Sequence, residues 1–274
     1  MEPGRSLGAP QAGALMTATT KARDNLVTVG AIALAAMSIV TFDHEALGHG
    51  GACLATGGQI QLLTSALFHC SHALPLIDMA GPLSNLLIGG LAMLLAARVP
   101  VRRMELKLFL TLVAAFSLFW DGGYAARAMV EADGDLYFAA RDLTGGDALW
   151  WRALLATAGI AAYVLAIAAT SRSLTQLWPD RADARRIART AWLVATAGAA
   201  LAALLYRGAN AGQDLHDAVL EIGLASLPLL LFPGGKAVAS TASGRIGFRP
   251  AILAGALAVF VVFAATLGHG LGAI

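Results

Sequence analysis

Charged residues are scarce in this sequence, and their scarcity limits the class of protein. Only 13% of the 274 residues are Asp, Glu, Lys or Arg, whereas 58% are hydrophobic, and the mean hydropathy is +0.69. A soluble globule needs more polar surface than this composition supplies. The composition therefore excludes a soluble domain and predicts a chain that crosses a membrane several times.

Other common features are also missing. The first 24 residues contain Gly, Pro, Ser and Thr but no apolar core of the kind that a cleavable signal peptide needs. We therefore expect residues 1–24 to form a disordered cytoplasmic tail. No repeat, low-complexity tract or separate soluble domain stands out in the rest of the chain, so one membrane domain is expected.

Apolar segments follow this tail at intervals. About 20 apolar residues are needed to cross the roughly 30 Å hydrocarbon core of a bilayer. We identify seven such segments, at residues 26–48, 74–97, 107–129, 150–171, 188–206, 215–232 and 250–270. The fifth and sixth are the shortest. The predicted fold class is an all-α polytopic transmembrane helix bundle with about seven spans, and six spans are the alternative.

Basic residues are distributed unevenly between the two sides that seven spans create. Most of the 19 Lys and Arg residues fall on the side of the N-terminal tail, and basic residues normally mark the cytoplasmic side. The expected topology has a cytoplasmic N-terminus and an outer C-terminus, and the expected location is a bacterial inner membrane. The net charge of +2 then reflects topology, and no nucleic-acid partner is expected.

Cysteine is almost absent. The two cysteines, Cys53 and Cys70, fall in or near the first loop, which has no Lys or Arg and is expected outside the cytoplasm. A disulfide can form in such a compartment. The sequence leaves two possibilities equally open, a Cys53–Cys70 bridge and two unpaired small residues.

A metal-binding pattern, H-E-x-x-G-H, ends the first apolar segment at residues 44–49. Helical zinc sites usually carry two histidines at i and i+4 with a glutamate after the first. His44 and His49 are at i and i+5, which a regular helix separates by roughly 140°. A π-bulge would realign both imidazoles, and we favour it over a Glu45–His49 pair at i, i+4 or a simple polar helix end at the membrane surface.

Further acidic residues could complete a metal site. Asp121 lies in the third apolar segment, before two glycines, at a depth in the membrane that matches the depth of His44. An ionisable group there needs a partner, and the alternative is that Asp121 caps a broken helix. Near the sixth segment, Asp214, His216, Asp217 and Glu221 could supply a ligand, a proton path or a second cation site, or could simply begin a helix at the interface.

Three segments, in the same order, resemble the site-2 protease family of intramembrane zinc metalloproteases. They are the 44–49 motif, Ala80-Gly81-Pro82-Leu83-Ser84-Asn85, which is similar to the family's A-G-P-x-x-N segment, and Trp120-Asp121-Gly122-Gly123, which is similar to its L-D-G motif. The H-E-x-x-G-H spacing is also similar to that of the dipeptidyl peptidase III family, over six residues.

The resemblance to the site-2 protease family implies a role for each matched residue. It implies that His44, His49 and Asp121 bind Zn²⁺, that Glu45 is the general base, and that Asn85 binds substrate. Residues 25–130 would then form a catalytic, metal-binding three-helix core, and residues 131–274 would add transmembrane helices that pack on it.

The expected function is that of a membrane-embedded zinc metalloprotease that hydrolyses peptide bonds of membrane-associated substrates with metal-activated water. Its expected partners are a membrane protein or peptide substrate and the lipid bilayer. The alternative is a multi-pass metal transporter or metal sensor without hydrolytic activity, and a third option is a degenerate relative that only binds helices. Substrate identity and oligomeric state are left open by the sequence.

Overall fold

The computed structural model describes residues 23–232 and 244–272. These residues are almost entirely helical, as the predicted fold class requires. The exception is an antiparallel hairpin of β1 (Ile60–Leu63) and β2 (Phe68–Cys70), which the sequence analysis treats as loop. The predicted tail, apart from its last two residues, lies outside the described residues.

Helices account for the other regular elements of the described chain. In order they are α1 (Leu26–Phe42), the π-helical segment π1 (Asp43–Gly50), α2 (Gly51–Ala55), α3 (Pro75–Arg98), α4 (Met104–Glu131), α5 (Asp135–Thr144), α6 (Leu149–Leu177), α7 (Arg181–Ala203), α8 (Ala211–Ala218), a second π-helical segment π2 (Val219–Leu224), α9 (Leu227–Leu230) and α10 (Pro250–Thr266). The first begins at an N-cap, because the side chain of Asn25 accepts a hydrogen bond from the backbone N–H of Thr28.

Four of the described helices are long and apolar enough to cross a membrane. They are Leu26–Ala55, Pro75–Arg98, Met104–Glu131 and Leu149–Leu177. The apolar windows of the first and third are 61% and 67% buried, whereas those of the second and fourth are 33% and 17% buried. α1 and α4 are therefore central in the bundle, and α3 and α6 present apolar side chains to the surroundings, as lipid contact requires.

The count of seven spans is not confirmed. The fifth predicted span falls on α7, whose first turns carry several charged residues. The sixth is divided among α8, π2 and α9, and the seventh, α10, has 17 residues. Charge in α7, helix breaks between α8 and α9, and the short length of α10 explain why these three segments do not qualify by length and composition.

One end of the bundle collects the basic connecting segments. Asp24 accepts hydrogen bonds from the indole N–H of Trp178 and from the backbone N–H of Ile246, and Arg249 pairs with Glu105 at 3.1 Å. These contacts bring together the starts of α1, α4 and α10 and the end of α6. We call this region the basic end.

The hairpin lies at another part of the molecule and is fixed by two anchors. A disulfide joins Cys53 to Cys70, so the bridged alternative is the one observed. Asp214 of α8 accepts hydrogen bonds from the Thr64 and Ser65 hydroxyls and from the Ala66 backbone N–H. The hairpin is thereby held against π1, α2 and α8.

Candidate metal centre

The two histidines of the motif meet on the π-helical segment π1. The hydrogen bonds of a π-helix join residues five apart, so side chains five positions apart return to nearly the same face. The Nε2 atoms of His44 and His49 are 3.3 Å apart, and the residues are 2% and 3% exposed. The predicted bulge is confirmed, and His49 is paired with His44 rather than with Glu45.

A carboxylate from a distant segment joins these imidazoles. Asp135, the first residue of α5, places Oδ2 at 3.4 Å from the Nε2 atom of His49. One potential ligand atom from each of His44, His49 and Asp135 lies within 4.8 Å of the others. Burial acts to raise the pKa of Asp135, but the interactions with His49, His44 and Tyr124 together outweigh it, so the pKa lies below its ordinary value.

The spacing of these atoms fits a tetrahedral ion. Nitrogen and oxygen ligands lie about 2.0–2.2 Å from zinc, so two ligand atoms on one tetrahedron are roughly 3.3–3.6 Å apart. The two measured distances, 3.3 and 3.4 Å, match such an edge. Two imidazoles and one carboxylate are also a donor set that suits zinc and other transition metals. The group can therefore hold a metal ion.

The surrounding structure holds both rings in place. The Nδ1 atom of His49 is 2.7 Å from the carbonyl oxygen of Ile77, so an Nδ1–H donates there and Nε2 is left free for an ion. Phe68 of the hairpin stacks on His49 at 5.4 Å between ring centroids, and Trp120 stacks on His44 at 4.1 Å. The two rings are therefore oriented before any ion binds.

Two glycines allow the backbone of α3 to reach the histidines. A Cβ atom added at Gly81 would clash with the Nε2 atoms of both His44 and His49, and one added at Gly48 would lie 2.7 Å from the Cα atom of Gly81. Segment π1 and α3 thus cross backbone to backbone beside the ligand atoms. The A-G-P segment has a steric role, because its glycine leaves room for the metal-binding face.

Asn85 and Asp121 lie on the Nδ1 side of the His44 ring. The Nδ2 atom of Asn85 is 3.0 Å from His44 Nδ1 and 3.5 Å from Asp121 Oδ1. Rotating the amide by 180° exchanges its nitrogen and oxygen, and the oxygen then accepts a hydrogen bond from His44 Nδ1–H. Since Asn85 is 0% exposed, its position suits orienting His44 rather than touching a substrate.

Asp121 is close to His44 but is not part of the converging group of ligand atoms in the described residues. It is 4% exposed, and its Oδ2 atom has no hydrogen-bond partner there. Asp135 occupies the place beside the two Nε2 atoms that the sequence analysis predicts for Asp121.

Glu45, the predicted general base, faces a cavity of about 590 Å³ beside the histidines. Glu45 is 3% exposed, and within the described chain it has no hydrogen-bond partner. Seven carboxylates line the cavity: Glu45, Asp78, Glu131, Asp133, Asp135, Asp217 and Glu221. Arg127 lines it as well and pairs with Glu131 at 3.7 Å. The cavity is thus large, polar and strongly acidic.

The acidic group near the sixth predicted span is divided by the structure. Asp214 anchors the hairpin, as described above, and does not reach the histidines. His216 and Asp217 contact each other at 2.9 Å and line the acidic cavity. Glu221 lines it from the π2 segment, and its Oε2 atom is buried without a partner in the described chain. These residues border the site without joining the metal group.

Asp135 is the site residue that the sequence analysis missed, because nothing in its spacing relates it to the 44–49 motif. The chain reaches it through Ala132 and Gly134, both with positive φ, which end α4 and turn α5 back toward π1. Asp135 is held there by the hydroxyl of Tyr124, which donates to Oδ2 and accepts from the Asp135 backbone N–H. A glycine-aspartate step after a long apolar helix is the only local signal.

No protein-family model matches the chain, and comparisons with curated proteins and with solved structures found no match.

Proposed function

We propose that this protein is a membrane-embedded zinc metalloprotease that hydrolyses peptide bonds of membrane-associated substrates. One observation carries the proposal. The Nε2 atoms of two buried imidazoles lie 3.3 Å apart, and a carboxylate oxygen lies 3.4 Å from one of them, which is the spacing of neighbouring ligand atoms around a tetrahedral zinc ion. A second carboxylate, Glu45, stands next to them with a cavity in front of it.

Each residue has a distinct task in this proposal. His44, His49 and Asp135 would hold the ion, and three protein ligands are the number found in catalytic zinc sites. A zinc ion held there would supply the Lewis acidity that polarises a peptide carbonyl and activates water. Glu45 accepts the proton of the attacking water and passes it to the leaving amine. Asn85 orients His44 through the His44 Nδ1 atom, which lies 3.0 Å from the Asn85 amide.

The proposal includes an orientation in the membrane. The basic end lies in the cytoplasm, in line with the excess of Lys and Arg on the cytoplasmic side of membrane proteins. The disulfide-bonded hairpin and the metal centre then lie toward the outer face, where disulfides persist. The chain crosses a bacterial inner membrane seven times, with α7, the α8–α9 segment and α10 as the shorter or more polar crossings.

The acidic cavity also suits a second function, metal transport or sensing, because seven carboxylates beside a metal group would attract cations. Replacing Glu45 by Gln separates the two functions. The substitution keeps the size of the side chain and removes its basicity, so a peptidase keeps its zinc and loses activity. Loss of a general base lowers hydrolysis by about 10²–10⁴-fold.

The experiment uses full-length protein in lipid nanodiscs. Zinc per chain is measured by mass spectrometry, and hydrolysis is followed with a pooled library of transmembrane peptides. The matched control is Glu131→Gln, the same change at a partly exposed residue of the same cavity; it is expected to retain activity. Asp135→Asn is expected to abolish stoichiometric zinc.

Three results would count against the proposal. If purified wild-type protein contains no stoichiometric zinc, the proposed metal centre is wrong. If E45Q protein cleaves the library as fast as wild type, Glu45 is not the general base. Zinc flux into proteoliposomes that persists in E45Q, with no hydrolysis by wild type, favours the transporter.

A further inference from the structure

A second cavity, of about 280 Å³, opens near the basic end and lies outside the metal centre. It is formed where the C-terminal part of α3, the first turns of α4 and the C-terminal part of α6 meet. Apolar side chains such as Met93 and Ala97 form part of its wall, and Lys107 and Arg172 supply two positive charges to it. The proposed peptidase activity makes no use of this cavity.

Lys107 is an unusual residue for its position. It is 2% exposed, although lysine is almost never fully buried unless it is paired. The one hydrogen bond found for its ammonium group in the described chain is donated to the backbone carbonyl of Val99, at 3.2 Å. An ammonium group has three N–H donors, and a neutral carbonyl does not offset the cost of burying its charge.

Arg172 adds a second positive charge to the cavity, although a buried lysine would usually face an acidic partner. It lines the same cavity from α6 and is exposed. In the part of the chain that the structure describes, no carboxylate lines the cavity, and neither Lys107 nor Arg172 forms a salt bridge. Two like charges at one cavity destabilise each other, so an anion bound between them would lower the energy of both.

The location of the cavity indicates what kind of anion would bind. Lys107 lies in the first turn of α4 and Arg172 near the C-terminal end of α6, two helices long and apolar enough to cross a membrane. A bilayer around these helices would have its lipid headgroups near such ends. The neighbouring faces of α3 and α6 carry exposed apolar residues, among them Leu94 and Leu165, which are 57% and 69% exposed. An anion with hydrocarbon tails could therefore place its charge in the cavity and its tails along these faces.

We propose that the cavity between Lys107 and Arg172 binds the phosphate group of an anionic phospholipid. The guanidinium group donates paired hydrogen bonds to phosphate oxygens, and the ammonium group supplies a second, compact charge. The site is independent of the peptidase proposal, because it contains none of the residues of the metal centre.

The test measures lipid binding to the full-length, delipidated protein by native mass spectrometry. Phosphatidylglycerol is the anionic probe, phosphatidylcholine is the zwitterionic probe, and inorganic phosphate is the free-anion probe. We expect wild-type protein to retain about one phosphatidylglycerol more tightly than phosphatidylcholine. Since one basic residue near an anionic headgroup contributes about a fivefold gain in affinity, Arg172→Gln should weaken phosphatidylglycerol binding about fivefold, and Lys107→Met by at least as much.

Arg102→Gln is the matched control. Arg102 is an exposed arginine in the α3–α4 connection, and it does not line the cavity, so its loss changes net charge equally and should leave binding unchanged. Arg172 is exposed, so R172Q keeps the test valid even where K107M fails to fold. Three results would overturn the proposal. The first is equal binding of the two lipids, and the second is an equal loss of phosphatidylglycerol binding in R102Q and R172Q. The third is displacement of the lipid by equimolar inorganic phosphate.

Discussion

Substituting alanine for Gly81 tests whether the ligand atoms need the close approach of α3. The added methyl group would clash with His49 Nε2 and would lie 2.7 Å from His44 Nε2, whereas ordinary contact begins at 3.4 Å. The His44 ring must therefore move by about 0.7 Å and the His49 ring by more, whereas ligand distances in metal sites vary by only about 0.2 Å. We expect zinc affinity to fall at least about 100-fold, the upper range for changes to groups that merely orient ligands.

The assay is a competition between purified protein and a series of zinc chelators, combined with zinc analysis of the isolated protein. Gly90→Ala is the matched control, because Gly90 is on the same helix and an added Cβ there has nothing within 4 Å. Alanine favours a helix over glycine by about 1 kcal/mol, so G90A should bind zinc normally and be slightly more stable. Circular dichroism checks that G81A is folded.

The reasoning is refuted if folded G81A protein binds zinc with the affinity of wild type. Such a result would mean that the ion does not lie between the two Nε2 atoms. A loss of zinc in G90A comparable to that in G81A would point instead to a general effect on α3.

The remaining predictions concern the groups around the site. Asn85→Ala should lower zinc affinity about 10–100-fold by releasing His44 without unfolding the protein, and chelator competition measures this; unchanged affinity would remove the positioning role. Asp214→Ala should lower the free energy of unfolding by about 3–5 kcal/mol, because it leaves three hydrogen-bond donors of the hairpin without a partner. Thermal unfolding measures this, and a midpoint within error of that of wild type would contradict it. Cys53→Ser with Cys70→Ser should cost about 3 kcal/mol for a bridge that spans 17 residues, measured by denaturant unfolding against wild type under oxidising conditions; equal stability of the two proteins would be the contrary result.

The features that could be predicted from the sequence are those that depend on local patterns. Apolar runs identify α1, α3, α4 and α6, because a helix that crosses a bilayer needs a fixed length of apolar residues. The i, i+5 spacing of His44 and His49 identifies the π-helical segment, since a regular helix would point the rings in different directions.

Features that depend on contacts between distant segments were harder to predict. Asp135 reaches the histidines only because α4 ends at a left-handed residue and α5 turns back, and no periodicity encodes that geometry. It lies outside the core predicted at residues 25–130. Asp121 has the expected depth, but depth along a helix does not specify the direction of a side chain, and the carboxylate faces Asn85.

The hairpin between α2 and α3 depends on contacts that no local sequence pattern encodes. Residues 60–70 carry weak strand signals, and a two-stranded hairpin is at best marginally stable alone. Its order comes from the disulfide and from Asp214, a residue far along the chain. Sequence suggested the bridge as one of two possibilities, and the anchor from α8 depends on tertiary packing.

The distance along the chain between the three proposed ligands constrains how the protein can mature. His44 and His49 emerge from the ribosome long before Asp135, which follows the third long apolar helix. A nascent chain that stops before α5 presents two imidazoles and no carboxylate, so the complete three-ligand set forms only after α5 has been synthesised and has folded back. Newly made protein is therefore expected to acquire the proposed metal ion late in biogenesis.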